Sequence, residues 1–227
     1  MKKHLYKTVL ILSFFCLICH NLCAQLSLED KMVRAGMVNL QEVCPDIKVD
    51  LKYATSDNFV GCDMYGDLKH AFLEKGFANR VVRAQRYLQS LHPGYSLLIY
   101  DAARPISVQR KMYSLVAGTP NKVYVANGNR GGRHNYGVAV DLTIVDDKGE
   151  PLDMGTKFDF FGKEAHCDNE VALTQQGLLS VEAHKNRELL RTVMKYVGLV
   201  PYRREWWHFE ETLKMPQVRS KYSLLNF

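Results

Sequence analysis

Residues 132–145 read Gly132-Arg133-His134-Asn135-Tyr136-Gly137-Val138-Ala139-Val140-Asp141-Leu142-Thr143-Ile144-Val145. From Gly137 onward the residues are small, apolar or β-branched, and Asp146-Asp147-Lys148-Gly149 then has the composition of a turn. This pattern predicts a strand over residues 137–145. On such a strand Gly137, Ala139 and Asp141 share one face. That face is small apart from its single carboxylate, which leaves room beside Asp141. His134 stands just upstream and can fold back over the same face. A neutral imidazole and a carboxylate suit a zinc ion. The plain alternative is an exposed loop histidine and an aspartate that caps a strand end.

Working outward, residues 118–132 are rich in Gly and Asn and read as loop. Before them, Pro105 suits the start of a helix running to Val116. Ser96 to Tyr100 reads as a short apolar strand that ends at Asp101-Ala102-Ala103-Arg104-Pro105. Residues 68–91 carry helical spacing through Ala71, Val82, Ala84, Tyr87, Leu88 and Leu91, stopped by His92-Pro93-Gly94. Residues 57–67 read as loop, and residues 43–53 alternate partly, as an early strand does. Downstream, residues 151–168 are irregular and residues 178–197 form a helix that Gly198 ends. There is no internal repeat. Helices and strands mix without regular alternation, so the expected fold is a single α+β domain. A mostly antiparallel sheet is flanked by helices, and the zinc site lies on the sheet.

A second polar cluster is Glu205-Trp206-Trp207-His208-Phe209. Its aromatic content suits a strand or strand edge. Glu205 and His208 are three apart, so they share a side only if the chain bends or bulges here. The two Trp would give a dry wall that strengthens electrostatics. Alternatively, this is an aromatic core strand with polar flanks. Taken together, His134, Asp141 and His208 supply three ligands, the number that holds a catalytic zinc with one position open. Glu205 beside them could move a proton between water and a leaving amine. Arg104 could serve a site or merely pair with Asp101. Asp159 could serve a site or cap a turn. His70, His92, His166 and His184 have no ligand-like surroundings in the sequence.

The first residues stand apart. Lys2, Lys3 and Lys7 precede an apolar run from Thr8 to Cys19, and Leu22-Cys23-Ala24 offers a cleavage site before Gln25. The run is short for a membrane span. This is the layout of a secretory signal peptide over residues 1–24, with a domain over residues 25–227 and an exported, periplasmic location. Lipidation at Cys19 or Cys23 is the rival reading. The leader lysines account for half of the formal net charge of +6. The remaining mild excess has no dense basic tract, which argues against nucleic-acid binding. Outside the leader, Cys44, Cys62 and Cys167 remain. The sequence admits a Cys44–Cys62 bridge without establishing it, and no C-x-x-C pair is left for a thiolate zinc site. It does not fix an oligomeric state.

These segments resemble the D-alanyl-D-alanine dipeptidase family, the VanX-type branch of the zinc D-Ala-D-Ala peptidases. That family carries S-x-H-x-x-G-x-A-x-D and, much later, E-W-W-H. Here the matching residues are His134, Gly137, Ala139 and Asp141, then Glu205, Trp206, Trp207 and His208. The likeness runs from about Asp50 to Phe209, through Asn58-Phe59-Val60-Gly61, Asp101-Ala102-Ala103-Arg104-Pro105 and Met154-Gly155-Thr156-Lys157-Phe158-Asp159. The resemblance implies one zinc on His134, Asp141 and His208, and Glu205 as the base. It implies Arg104 on the scissile carbonyl and its oxyanion, Asp159 on the free amine, and a small D-amino-acid dipeptide as substrate. The family Ser two residues before the first His is Gly132 here, so one substrate hydrogen bond is missing or comes from backbone. Two rival functions stay open. One is a D,D- or L,D-carboxypeptidase or endopeptidase on longer wall peptides. The other is a non-catalytic zinc module that binds such peptides.

Overall fold

The computed structural model describes residues 26–227. The expected leader over residues 1–24 lies outside them. The chain runs through α1 (Leu28–Arg34), β1 (Val38–Asn39), α2 (Leu40–Val43), β2 (Lys48–Val49), β3 (Phe72–Leu73), α3 (Lys75–Leu91), β4 (Ser96–Asp101) and α4 (Ile106–Val116). It continues through β5 (Ala139–Val145), α5 (Glu170–Gln175), α6 (Val181–Tyr196), β6 (Val200–Pro201), β7 (His208–Glu210) and α7 (Met215–Lys221). β5 is the middle strand of a five-stranded sheet of order β2-β4-β5-β7-β6. Only the β2–β4 pair is parallel; the other three pairs are antiparallel. β1 and β3 form a separate antiparallel ladder. The expected α+β class with a mostly antiparallel sheet is the one adopted.

Every residue of β4 and β5 is buried. Strands covered on both faces read as near-continuous apolar runs, and that is how these two read in the sequence. α3 buries Phe77, Val81, Ala84 and Leu88 at three- and four-residue steps. It packs on α6 and β4, and its Tyr87 stacks on Tyr196 with ring centroids 3.9 Å apart. Gln85 is buried on the same helix, and its side-chain oxygen accepts from the Leu97 backbone N–H at 2.7 Å. A buried amide with a partner costs little; without one it would cost on the order of 1–3 kcal/mol.

Three sequence expectations need correction. Residues 43–53 are not a strand. α2 ends at Val43, because Cys44 precedes Pro45 and is pushed out of helical geometry. Only Lys48–Val49 pair with β4, and Lys52–Ala54 form a tight helical turn. The helix expected over residues 68–91 starts only at Lys75, where the Glu74 side chain caps it by accepting from the Phe77 N–H. The residues just before, Phe72–Leu73, pair with β1 instead. Gly137 is not part of β5. At φ +67° it closes a 3-10 turn over Arg133–Tyr136. A Cβ there would lie 2.7 Å from Met37 Sδ and 2.8 Å from the Glu74 backbone nitrogen. Only glycine suits both the left-handed backbone and that close approach.

Cys44, Cys62 and Cys167 are all free, so the Cys44–Cys62 bridge that the sequence admits is not formed. Among the described residues no helix is long and apolar enough to cross a membrane.

Candidate metal centre and its cavity

Three neighbouring strands build the floor of the site. β4 carries one residue more than β5 between Ile99 and Asp101, so Ile99 faces Leu142 while Asp101 faces Asp141. Asp141 in turn faces His208 on β7. This bulge brings Asp101, Asp141 and His208 into one row across the sheet, an instance of a bulge re-aiming a side chain beside a site. The 3-10 turn held by Gly137 then lays His134 over the row. Residues from these elements line a cavity of about 290 Å³, together with Tyr53, Phe59, Arg104, Asp159, Glu205 and Trp207.

The three expected ligands come together. His134 Nε2 lies 3.2 Å from His208 Nδ1 and 3.4 Å from Asp141 Oδ1, and His208 Nδ1 lies 2.9 Å from the same oxygen. A tetrahedral zinc with bonds of about 2.0–2.1 Å separates its ligand atoms by roughly 3.3 Å. The chemistry of the donors agrees with the spacing. His134 Nδ1 sits 2.7 Å from the Ala102 carbonyl oxygen, which can only accept, so the hydrogen is on Nδ1 and Nε2 bears a lone pair. His208 Nε2 sits 3.0 Å from a carboxylate oxygen of Glu210, so its Nδ1 is the free nitrogen. Two imidazole lone pairs and a carboxylate oxygen thus converge on one point, and such a set fits a metal cation. Without a cation a proton must occupy it. Burial opposes charge on His208, but Asp141 and Glu210 hold its pKa well above the usual histidine range. Burial likewise favours neutral Asp141, yet His134 and His208 hold its carboxyl far below the usual range.

Glu205 lies on a turn just before β7, where the His208 N–H reaches the Glu205 carbonyl at 3.3 Å. This is the bend that the three-residue spacing required. Its buried carboxylate sits 3.8 Å from His208 Nδ1. Burial, against the pull of His208 and helped by Asp141 and Asp159, raises its pKa to about 8. Such a carboxyl can both take and return a proton near neutral pH. The paired tryptophans pack edge to face, with ring centroids 5.4 Å apart, but take different places. Trp207 lines the cavity, whereas the Trp206 indole N–H donates to Thr156 Oγ1 at 2.8 Å and its ring lies near Arg187. Only one of the two forms the dry wall.

Arg104 makes the pair with Asp101 that the plainer reading expected, and it also lines the cavity. Its Nε donates to Asp101 Oδ2 at 3.0 Å, its Nη2 also donates to that oxygen, and Nη1 donates to Gln109 Oε1 at 2.9 Å. Tyr65 OH donates to the other Asp101 oxygen. The guanidinium is buried at the cavity wall, with Cζ 5.0 Å from the Tyr53 ring centre. Burial opposes its charge, but Asp101 holds its pKa well above the usual value. The ion pair therefore locks the fork and leaves the remaining N–H groups at the site. The pairing with Asp101 was expected; Gln109 and Tyr65 were not singled out for this from the sequence.

Asp159 stands at the cavity wall with φ +60°, the one non-glycine residue with positive φ among those described. Its two oxygens accept from Tyr53 OH at 3.0 Å and from the Phe59 N–H at 3.1 Å. Dense surroundings push its pKa up to about 7, with nearby Asp141 adding to the rise. Arg187 of α6 anchors this irregular segment, donating to the carbonyls of Met154 at 2.8 Å and Glu164 at 2.9 Å.

Gly132 does not open the wall. A Cβ there would lie 2.8 Å from Ala126 Cβ, so Ala126 crowds the position from which the side chain of the family serine would start. Its N–H donates to Asn135 Oδ1 at 2.7 Å and is used within the turn. His184 also needs correction. Its Nε2 lies 3.9 Å from carboxylates of both Glu170 and Glu188, a second triad of metal-binding types. Arg191 bridges the same two carboxylates at 2.5 and 2.7 Å, and Arg187 reaches Glu170 at 3.3 Å. Guanidinium groups already neutralise that cluster.

A family model described as D-ala-D-ala dipeptidase, of the M15 peptidases, matches residues 33–224. A D-alanyl-D-alanine dipeptidase of Escherichia coli (strain K12) is 33% identical over 189 residues, 83% of this chain and 89% of that protein. One of Enterococcus faecalis (strain ATCC 700802 / V583) is 32% identical over 195 residues, covering 77% of this chain and 91% of its own length. A third, of Synechocystis sp. (strain ATCC 27184 / PCC 6803 / Kazusa), is 30% identical over 182 residues, 67% of this chain and 73% of its own.

Proposed function

The chain belongs to the D-Ala-D-Ala dipeptidase family of M15 metallopeptidases, and from that premise we propose that it hydrolyses D-alanyl-D-alanine to two D-alanines with one zinc held by His134, Asp141 and His208. The observation that carries this reading is the convergence of three lone pairs on one point, with an uncommitted buried carboxylate, Glu205, 3.8 Å from one of them. A zinc ion in that ligand set supplies Lewis acidity, which polarises the scissile carbonyl and eases ionisation of water.

The chain's own residues do the rest. Glu205 takes a proton as water oxygen adds to the carbonyl carbon. Arg104, locked by Asp101 and Gln109, holds the oxyanion that forms only at the tetrahedral stage. Glu205 then returns the proton to the amine nitrogen as the C–N bond breaks. Asp159 holds the substrate ammonium, and Trp207 and Phe59 keep the cavity wall apolar. The expected leader puts this chemistry outside the cytoplasm, on wall-derived peptides, with residues 25–227 as the working domain.

Arg104→Ala should lower turnover by roughly 10²–10³, the range for losing one oxyanion donor. A rise in KM with turnover intact would instead make Arg104 a ground-state binding residue. The test of the function itself is release of D-alanine from D-Ala-D-Ala by the purified protein, lost with chelator and restored by zinc. Equal action on N-blocked wall peptides would favour the carboxypeptidase reading. Peptide binding without hydrolysis would favour the non-catalytic module.

A further inference from the structure

We infer that Glu210 is a positioning residue for the metal: it fixes the ring of His208 so that Nδ1, and not Nε2, faces the ligand triangle. The inference rests on the metal-site reading above. His208 and Glu210 are two apart on β7, so their side chains leave the same face of the strand. Glu210 Oε2 lies 3.0 Å from His208 Nε2, on the side of the ring away from Asp141. A carboxylate can only accept there, so it sets the tautomer as well as the ring plane.

Glu210 is itself held. Its Oε1 lies 3.2 Å from Arg133 Nη1. Arg133 cannot swing freely, because its Nε donates to the Glu211 carbonyl at 3.2 Å and its Nη2 to the Leu213 carbonyl at 2.7 Å. Arg133 also precedes His134 in the same 3-10 turn. The chain Arg133–Glu210–His208 thus ties the turn that carries one ligand to the strand that carries another. His134 is fixed in a different way, by the Ala102 carbonyl at 2.7 Å. Each imidazole therefore has its own outer hydrogen-bond partner: a carbonyl for His134, whose Nδ1 also lies 3.6 Å from Asp101 Oδ2, and the Glu210 carboxylate for His208. A carboxylate behind a ligating imidazole also makes the ring a better donor.

The test is metal affinity of the full chain, measured by competition with a chromophoric chelator. Glu210→Ala should weaken zinc binding about 10–100-fold, the usual cost of losing such an outer partner. Glu210→Gln keeps an acceptor but not the charge, so its loss should be measurable and smaller. Both variants should still fold without metal, which circular dichroism checks. Affinity within twofold of the parent in Glu210→Ala would overturn the inference. If that variant does not fold, parental affinity in Glu210→Gln overturns it instead. His208→Ala, measured in parallel, separates the two levels of the argument. Retained zinc there would sink the metal-site reading itself, whereas lost zinc there with unchanged Glu210 variants would sink only the role of Glu210.

Discussion

Glu205→Gln should lower the turnover of D-Ala-D-Ala by at least about 10²–10⁴, the usual worth of a positioned acid–base group, while metal content stays at the parental level. The substitution keeps the shape of the side chain and removes its ability to accept a proton. Turnover depends on that ability because water must lose a proton and the leaving amine must gain one; burial brings the Glu205 carboxyl of the metal-free protein up to about 8. A group with this pKa can accept from water and then donate to an amine, two transfers that both fail in the amide. Metal content is independent of the change because the converging lone pairs belong to His134, Asp141 and His208. Single-turnover kinetics and elemental analysis on the same preparation check both halves. Turnover near the parental value would remove Glu205 from the chemistry. Loss of the metal would make it part of the ligand set or of the frame that holds it.

Much of this arrangement is legible in the sequence for a physical reason. β4 and β5 are buried on both faces, so their apolar runs survive in composition alone. His134, Asp141, Glu205 and His208 each belong to a residue pattern in which the chemistry dictates the residue types. What the sequence hides are contacts between segments far apart in the chain. The row Asp101, Asp141, His208 depends on a one-residue bulge at Tyr100 and on the register of β5 with β7. Neither leaves a mark in composition. The part of Gly132 is also invisible, since it depends on how Ala126, earlier in the same loop, folds back beside it. Residues 43–53 alternate like a strand, yet Pro45 and the 3-10 turn at Lys52 break the pattern, so only Lys48–Val49 pair. Glu210 was open to inference and missed. An H-x-E spacing on a strand puts both side chains on one face, but the turn at Glu205 hides from the sequence that the strand begins only at His208.

The protein should prefer dipeptides with a free amino end by on the order of 10⁴ over N-acetylated ones, and Asp159 should set most of that preference. The carboxylate is anchored by Tyr53 OH and the Phe59 N–H, so it cannot turn away to find solvent. Those two donors leave lone pairs on both oxygens for an ammonium. Burial leaves the ionised form poorly solvated where it stands and pushes its pKa up to about 7. A substrate ammonium relieves that condition through a charge-assisted hydrogen bond. An N-acetyl group removes the positive charge, adds bulk and leaves a desolvated carboxylate without a partner, which is the costly outcome. The measurement compares kcat/KM for D-Ala-D-Ala, N-acetyl-D-Ala-D-Ala and a pentapeptide ending in D-Ala-D-Ala. Asp159→Ala should bring the first two close together, mainly by raising KM for the free dipeptide. Comparable efficiency on all three substrates in the parent protein would overturn the dipeptidase reading. A preference that survives Asp159→Ala would leave that reading standing and move recognition of the amine to another group.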